Sequence, residues 1–259
     1  ERARKSGSTG IGGRRRGTGG EGGLPLGAGL IVDPELPDEA LAGRLQDETG
    51  VAVDIIQADL TEANDLAAVE ARLRDDTRIG TLVNNAGTAL GGSFITQATD
   101  DVARLVALNT VAPLRLASAV APRFAEAGAG AIINIGSVVG LAPEFAMTVY
   151  GATKAFVLFL SQGLDVELGP KGVFVQAVLP AATRTEIWGH AGADVNTMAG
   201  VMEVGELVDA ALVGFDRREP VTIPPLPEAD QWTAYQAARQ AMLPNTGQER
   251  AAARYRTAG

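Results

Sequence analysis

Ala131-Ile-Ile-Asn-Ile-Gly-Ser137 and, thirteen residues after its last residue, Tyr150-Gly-Ala-Thr-Lys154 decide the fold of this chain. The first stretch is a short apolar run of the kind a buried strand makes. It ends at Gly-Ser, where strand chemistry gives way to turn chemistry. The second opens a long apolar stretch without proline, which reads as a helix over 149–168. Tyr150 and Lys154 are four apart, so they lie on one face of that helix, close enough to share a ligand.

Working outward, the same alternation continues in both directions. Val51–Gln57, Thr81–Val83, Val173–Leu179 and Glu219–Ile223 read as strands, and Pro180 stops the third of them. Thr61 is positioned to cap a helix over 62–74, in which Leu66, Val69 and Leu73 set the helical period. Further helices are expected over 100–108, 110–126, 206–215 and 228–242. Strands separated by helices imply an α/β fold: a Rossmann-type, doubly wound parallel sheet in a single domain. In such a sheet the ligand lies beyond the carboxyl ends of the strands, where Ser137 and Tyr150 fall.

Composition narrows the partners. A net charge of −9 disfavours nucleic acid and anionic membranes. There is no cysteine, hence no disulfide and no thiolate metal site, and the one histidine, His190, rules against a histidine-based metal centre or triad. No metal is expected. No apolar run approaches the roughly 20 residues of a membrane span, and the basic N-terminus lacks the apolar segment of a secretory signal. A cytoplasmic protein is the expectation.

Val83-Asn-Asn-Ala-Gly87, Leu108-Asn-Thr110, Ser137, Tyr150 and Lys154 occur in the order and spacing of the short-chain dehydrogenase/reductases, which the chain resembles over about residues 39–225. Ser8-Thr-Gly-Ile-Gly12 resembles the family's glycine turn more loosely. The resemblance implies an oxidoreductase that interconverts a small-molecule carbonyl and its alcohol with NAD(P)(H). It assigns four catalytic positions. Tyr150 is the general acid/base, Lys154 favours the phenolate and holds the nicotinamide ribose, Ser137 binds the substrate oxygen, and Asn109 interrupts its helix to hold a water. Cofactor contacts are implied at Ser8, Thr9, Gly10, Ile11 and Gly12, at Asp59 and Leu60, at Asn85, Ala86 and Gly87, and at Tyr150 and Lys154. Pro180, Thr183 and Thr185 complete the set in a loop where Ala181 replaces the family's usual glycine. A substrate loop is expected over 186–201, with Trp188, His190 and Met198 joining Leu141 and Met147 in an apolar pocket. The helices 110–126 and 149–168 are the faces relatives use to form homodimers or homotetramers.

Residues 1–38 do not follow this pattern. Eleven of the fourteen residues from Gly10 to Gly23 are glycine or arginine, which is too much glycine for the helix that should present its N-terminus to a pyrophosphate. A basic tail, a degenerate cofactor half and a local shift of reading frame in the gene all fit, and the regular domain is taken from residue 39 to 259. If Leu30-Ile-Val32 is a strand, Asp33 would favour NAD, whereas Arg14, Arg15 or Arg16 would favour NADP. The rest of the chain resembles the family's NADP-dependent carbonyl reductases, so NADP is preferred. The abnormal N-terminus also motivates a different class of function, a non-catalytic scaffold that has lost dinucleotide binding. An isomerase on the same fold is a third.

Overall fold

The computed structural model describes residues 29–33, 39–185, 187–190, 192 and 194–256. Its elements alternate through the chain: β1 (Gly29–Asp33), α1 (Glu39–Thr49), β2 (Val53–Gln57), α2 (Ala63–Asp75), β3 (Thr81–Asn84), α3 (Thr99–Val106), α4 (Ala112–Ala127), β4 (Gly130–Ile135), α5 (Thr148–Leu168), β5 (Val173–Val178), α6 (Ile187–His190), α7 (Val204–Asp216), β6 (Val221–Thr222) and α8 (Ala229–Met242). The chain divides into the units Glu1–Pro224, which carries every strand, and Pro225–Gly259, whose helix α8 stacks Trp232 on Tyr235.

Every strand pairing is parallel. Among the described residues β1 pairs with β2, and β3-β4-β5-β6 form a four-stranded ladder. The conditional strand at 30–32 is real and ends at Asp33, the residue that by this condition favours NAD, and it extends the regular fold upstream of residue 39. Parallel strands need a crossover, and the helices supply it. β5 shows the result: all six of its residues are buried, as expected of a strand covered on both faces.

The main core lies between one face of the ladder and helices α2, α4 and α5. Leu66, Val69 and Leu73 of α2 meet Leu116, Val120 and Phe124 of α4 over Ile132, Val173 and Val175. The spacing of these helical residues, three or four apart, places each set on one stripe. Helices α3 and α4 form one continuous 29-residue helix, Thr99–Ala127, joined by a π-helical turn at Ala107–Val111. By length and composition this helix could cross a membrane. Its apolar stripe, Leu105, Leu116, Ala117, Val120 and Phe124, is instead buried inside the fold.

A chain of buried polar groups sets the register of the elements around the site. Asn84 on β3 donates to Asn134 Oδ1 at 2.8 Å, Asn134 donates to Ser161 Oγ at 2.9 Å, and Ser161 donates to Val157 O within α5 at 2.7 Å. Asn84 and Asn134 are register partners on neighbouring strands. Leaving any one of these groups unpaired in the interior would cost about 1–3 kcal/mol, so the network holds α5 to the sheet in one register.

Candidate active site

The site forms where β3, β4 and β5 end. After β3 the chain passes Asn85 and Ala86, both exposed, to Gly87. A Cβ at Gly87 would lie 3.3 Å from Asn109 Oδ1 and 3.6 Å from Lys154 Nζ. The missing side chain therefore leaves a hollow floored by those two groups.

Asn109 sits in the π-helical turn and is 2% exposed. The interruption expected of it is this turn, a local widening of the helix of the kind common at functional sites. Its side-chain amide pairs with both backbone groups of Thr88: Thr88 N–H donates to Oδ1 at 2.9 Å and Nδ2 donates to Thr88 O at 2.9 Å. Nδ2 also donates to Thr153 Oγ1 at 3.2 Å.

Ser137 follows β4. Its hydroxyl accepts from Val139 N–H at 3.2 Å, capping the 3₁₀ turn Val138–Leu141, and donates to Pro180 O at 3.2 Å. The same hydroxyl lies near enough to the Tyr150 phenol to favour its ionised form. Ser137 is thus a cap and a site residue at once. Val138 N–H donates to Pro180 O at 3.0 Å, tying the loop after β5 to this turn.

Tyr150 and Lys154 occupy the first turns of α5. Burial pushes the Tyr150 phenol up to about 12, with the neighbouring Ser137 hydroxyl pulling the other way. Burial brings the Lys154 ammonium down to about 8. The ammonium donates to Ile135 O at 2.9 Å and stands 5.5 Å from the centre of the Tyr150 ring. The sequence suggests that Lys154 pulls the phenol toward its ionised form. In the structure desolvation dominates both groups, because the ammonium is turned to the end of β4.

A stability test follows from these shifts. Between pH 8 and 10.5 the unfolded chain keeps a proton on Lys154 that the folded chain has released. The contribution of this group to stability therefore rises with pH across that window and is lost as pH falls through 8. The Tyr150 contribution runs the other way, present below pH 10 and lost toward 12. Urea unfolding of Lys154→Met beside the native chain is expected to show the variant relatively most favoured below pH 8, with the gap shifting toward the native chain by pH 10. A gap independent of pH would show that Lys154 is solvated.

The remaining expected contacts divide. Asp59 lies in a turn where its carboxylate accepts from Thr61 N–H at 2.9 Å and from the Thr61 hydroxyl at 2.6 Å, and it pairs with Arg104. Burial alone would raise its pKa, but the Thr61 and Arg104 hydrogen bonds outweigh it and hold the carboxyl below its ordinary value. Thr61 is not the helix cap the sequence suggests. The N-cap of α2 is Glu62, one residue further on, which makes no side-chain cap, and the Thr61 hydroxyl instead donates to Asp59. Leu60 turns into the core at 8% exposure, so its backbone alone remains for a nucleotide.

Pro180 and Thr183 are buried and Thr185 is exposed. The Thr183 hydroxyl donates to Ala181 O at 3.1 Å, shaping the loop in which alanine replaces glycine. The segment expected to meet substrate is closed at its base by Arg184 N–H to Met202 O and Met202 N–H to Ala182 O, both 2.9 Å. Arg184 crosses it to Glu203 and Asn196, each at 2.8 Å, and Trp188 Nε1 donates to Thr183 O at 2.7 Å. Ser8, Thr9, Gly10, Ile11, Gly12 and Arg14–Arg16 lie outside the described residues, as does the side chain of His190.

Thr153 and Gly140 are absent from the residues singled out in the sequence. Thr153 carried a signal, since it shares the helix face of Tyr150 at i+3. Gly140 carried none, because its importance is a close approach between two segments.

A family model for short chain dehydrogenase matches residues 27–196. The chain is 64% identical to a short-chain dehydrogenase from Sphingobium yanoikuyae solved in complex with NADPH, covering 88% of this chain and 89% of that one, with a TM-score of 0.84. It is 60% identical to the bulky-bulky ketone specific alcohol dehydrogenase from Comamonas testosteroni, covering 84% and 83% of the two chains, with a TM-score of 0.77. It is 31% identical over 154 residues to the very-long-chain 3-oxoacyl-CoA reductase of Anas platyrhynchos, which covers 58% of this chain. It spans about half the length of the curated relatives it matches, 49% in that case. With the family model matched over more than half its length and the tyrosine, lysine, serine and asparagine gathered at the strand ends, the chain belongs to the short-chain dehydrogenase family.

Proposed function

We propose that this chain is an NADP(H)-dependent oxidoreductase that interconverts a ketone and its secondary alcohol, with Tyr150 as the proton donor and acceptor. The observation that carries the reading is a buried Lys154, its ammonium 5.5 Å from the centre of the Tyr150 ring, gathered with a buried Ser137 at the end of β4. The NADPH held by the Sphingobium relative supports the nucleotide, and the Comamonas relative supports a ketone with bulky groups on both sides.

The described residues fit the nicotinamide half of such a nucleotide. The hollow at Gly87 is one a Cβ would narrow, and Lys154 has two further N–H donors beyond the one given to Ile135 O. Gly87, Lys154, Tyr150 and the loop at Pro180, Thr183 and Thr185 would hold that half. When bound, the nucleotide supplies a hydride to the carbonyl carbon.

The chain's own residues handle the oxygen. Ser137 would turn its one proton from Pro180 O to the substrate oxygen and steady its developing charge. Tyr150 gives that oxygen its phenolic proton in reduction and takes it back in oxidation. Lys154, 5.5 Å from the centre of the Tyr150 ring, would stabilise the phenolate left behind. Asn109 holds the end of β3 in place beneath them. A scaffold has no use for this buried pair, and no observation favours that reading or an isomerase.

The proposal includes a cytoplasmic setting, tested by cell fractionation, and a homodimer or homotetramer assembled through α4 and α5. Phe159 and Val166 on α5 support the assembly, standing 76% and 75% exposed. A solution molar mass of one chain would end that part. The function is tested by titrating the protein with NADPH and NADH while following nucleotide fluorescence, then supplying ketones flanked by two bulky groups. Saturable binding with preference for NADPH and consumption of the ketone are expected. A folded protein that binds neither nucleotide would overturn the reading.

A further inference from the structure

Tyr150, Thr153 and Lys154 lie on one face of α5 at spacings of three and four. Thr153 is 3% exposed, and its hydroxyl is used in both directions. It donates to Tyr150 O at 2.8 Å and accepts from Asn109 Nδ2 at 3.2 Å. Asn109 is in turn clamped to both backbone groups of Thr88, next to Gly87. One hydroxyl therefore joins three separate pieces of the site: the exit of β3, the π-helical turn and the first turn of α5.

We propose that Thr153 is a positioning residue for the reaction, fixing the height and rotation of the Tyr150–Lys154 turn against the strand exit that floors the nucleotide site. The proposal rests on the oxidoreductase reading. Nothing else among the described contacts ties the Asn109 amide to the helix that carries Tyr150. The Asn134–Ser161 bond holds α5 two turns further along, too far down the helix to set the pitch of its first turn. Without the threonine hydroxyl, one Asn109 N–H would face a methyl group in the interior, a buried donor without its acceptor. The first turn of α5 and the π turn would then lose their hydrogen-bonded link, and that turn would settle differently against the strand exit.

Thr153→Val keeps the shape and removes the hydroxyl. It is expected to lower kcat by about 10- to 100-fold, because displacements of an ångström at a reacting group cost that much. KM for the ketone and the affinity for NADPH should stay near native. The basic limb of the kcat–pH profile should move, since burial and the neighbouring Ser137 hydroxyl set the phenol's pKa and both change if the helix turn shifts. Thr153→Ser, which restores the hydroxyl, should recover both kcat and the profile. A Thr153→Val protein that melts earlier yet keeps native kcat and a native pH profile would show a merely structural threonine and overturn the proposal. If the valine variant does not fold, Thr153→Cys replaces it, with a weaker hydrogen-bonding group of similar shape; a partial loss of kcat supports the proposal and native kcat overturns it. Failure of the parent reading is separate, because the native protein itself would then bind no nucleotide and reduce no ketone.

Discussion

Tyr150→Phe is expected to lower kcat by about 10²- to 10⁴-fold, the range a positioned general acid contributes. The change deletes one oxygen and leaves the ring, so the packing of α5 on the end of β4 persists. Ser137 keeps its bonds to Val139 N–H and Pro180 O and is not left unpaired. Burial keeps the phenol neutral in the folded protein, so an equally uncharged phenylalanine ring takes its place. Stability should therefore be near native, and NADPH should still bind. Steady-state turnover with a bulky ketone, beside a nucleotide titration and a thermal melt, checks all three. Residual activity equal to the native chain would remove Tyr150 from the proton-transfer role and reopen the non-catalytic reading.

Gly140→Val should damage the same site from the other side. A Cβ at Gly140 would lie 2.6 Å from Ala155 N, 2.6 Å from Lys154 C and 2.9 Å from Lys154 O. These are backbone atoms of a helix and cannot swing aside. The 3₁₀ turn carrying Val138–Leu141 must lift away from α5, taking Ser137 with it. Overpacking of this kind costs about 1–3 kcal/mol of stability. The displaced Ser137 should add a loss of about 10²-fold in kcat/KM. Gly163→Ala is the control: it lies on the same helix with nothing within 4 Å of its added Cβ, and should stabilise by about 0.5–1 kcal/mol. Native kcat/KM in Gly140→Val would show that the turn and α5 are not held at contact distance.

Much of this was written in the sequence, for a local reason. Helix and strand periods are properties of neighbouring residues, so the alternation around Ala131–Ser137 and the shared face of Tyr150 and Lys154 follow from spacing alone. Parallel pairing follows too, since strands separated by helices have no room for hairpins. The break at Asn109 was implied by the family resemblance.

Other properties depended on contacts between distant segments, which spacing does not encode. Asp59 has the position of a nucleotide contact in the sequence, but Arg104, 45 residues away, pairs with it in the fold. Thr61 reads as a helix cap, and the same aspartate takes its hydroxyl. Leu60 reads as a site residue and is core, because the turn after β2 points it inward. The sequence by itself determined the elements, their parallel order and the four residues set at the strand ends. The tertiary structure alone decided that Thr153 joins Asn109 to Tyr150, that Gly140 sets how near Ser137 comes to α5, and that Lys154 is desolvated. Each of these is a distance across the fold, and a distance across the fold exists only once the chain has closed on itself.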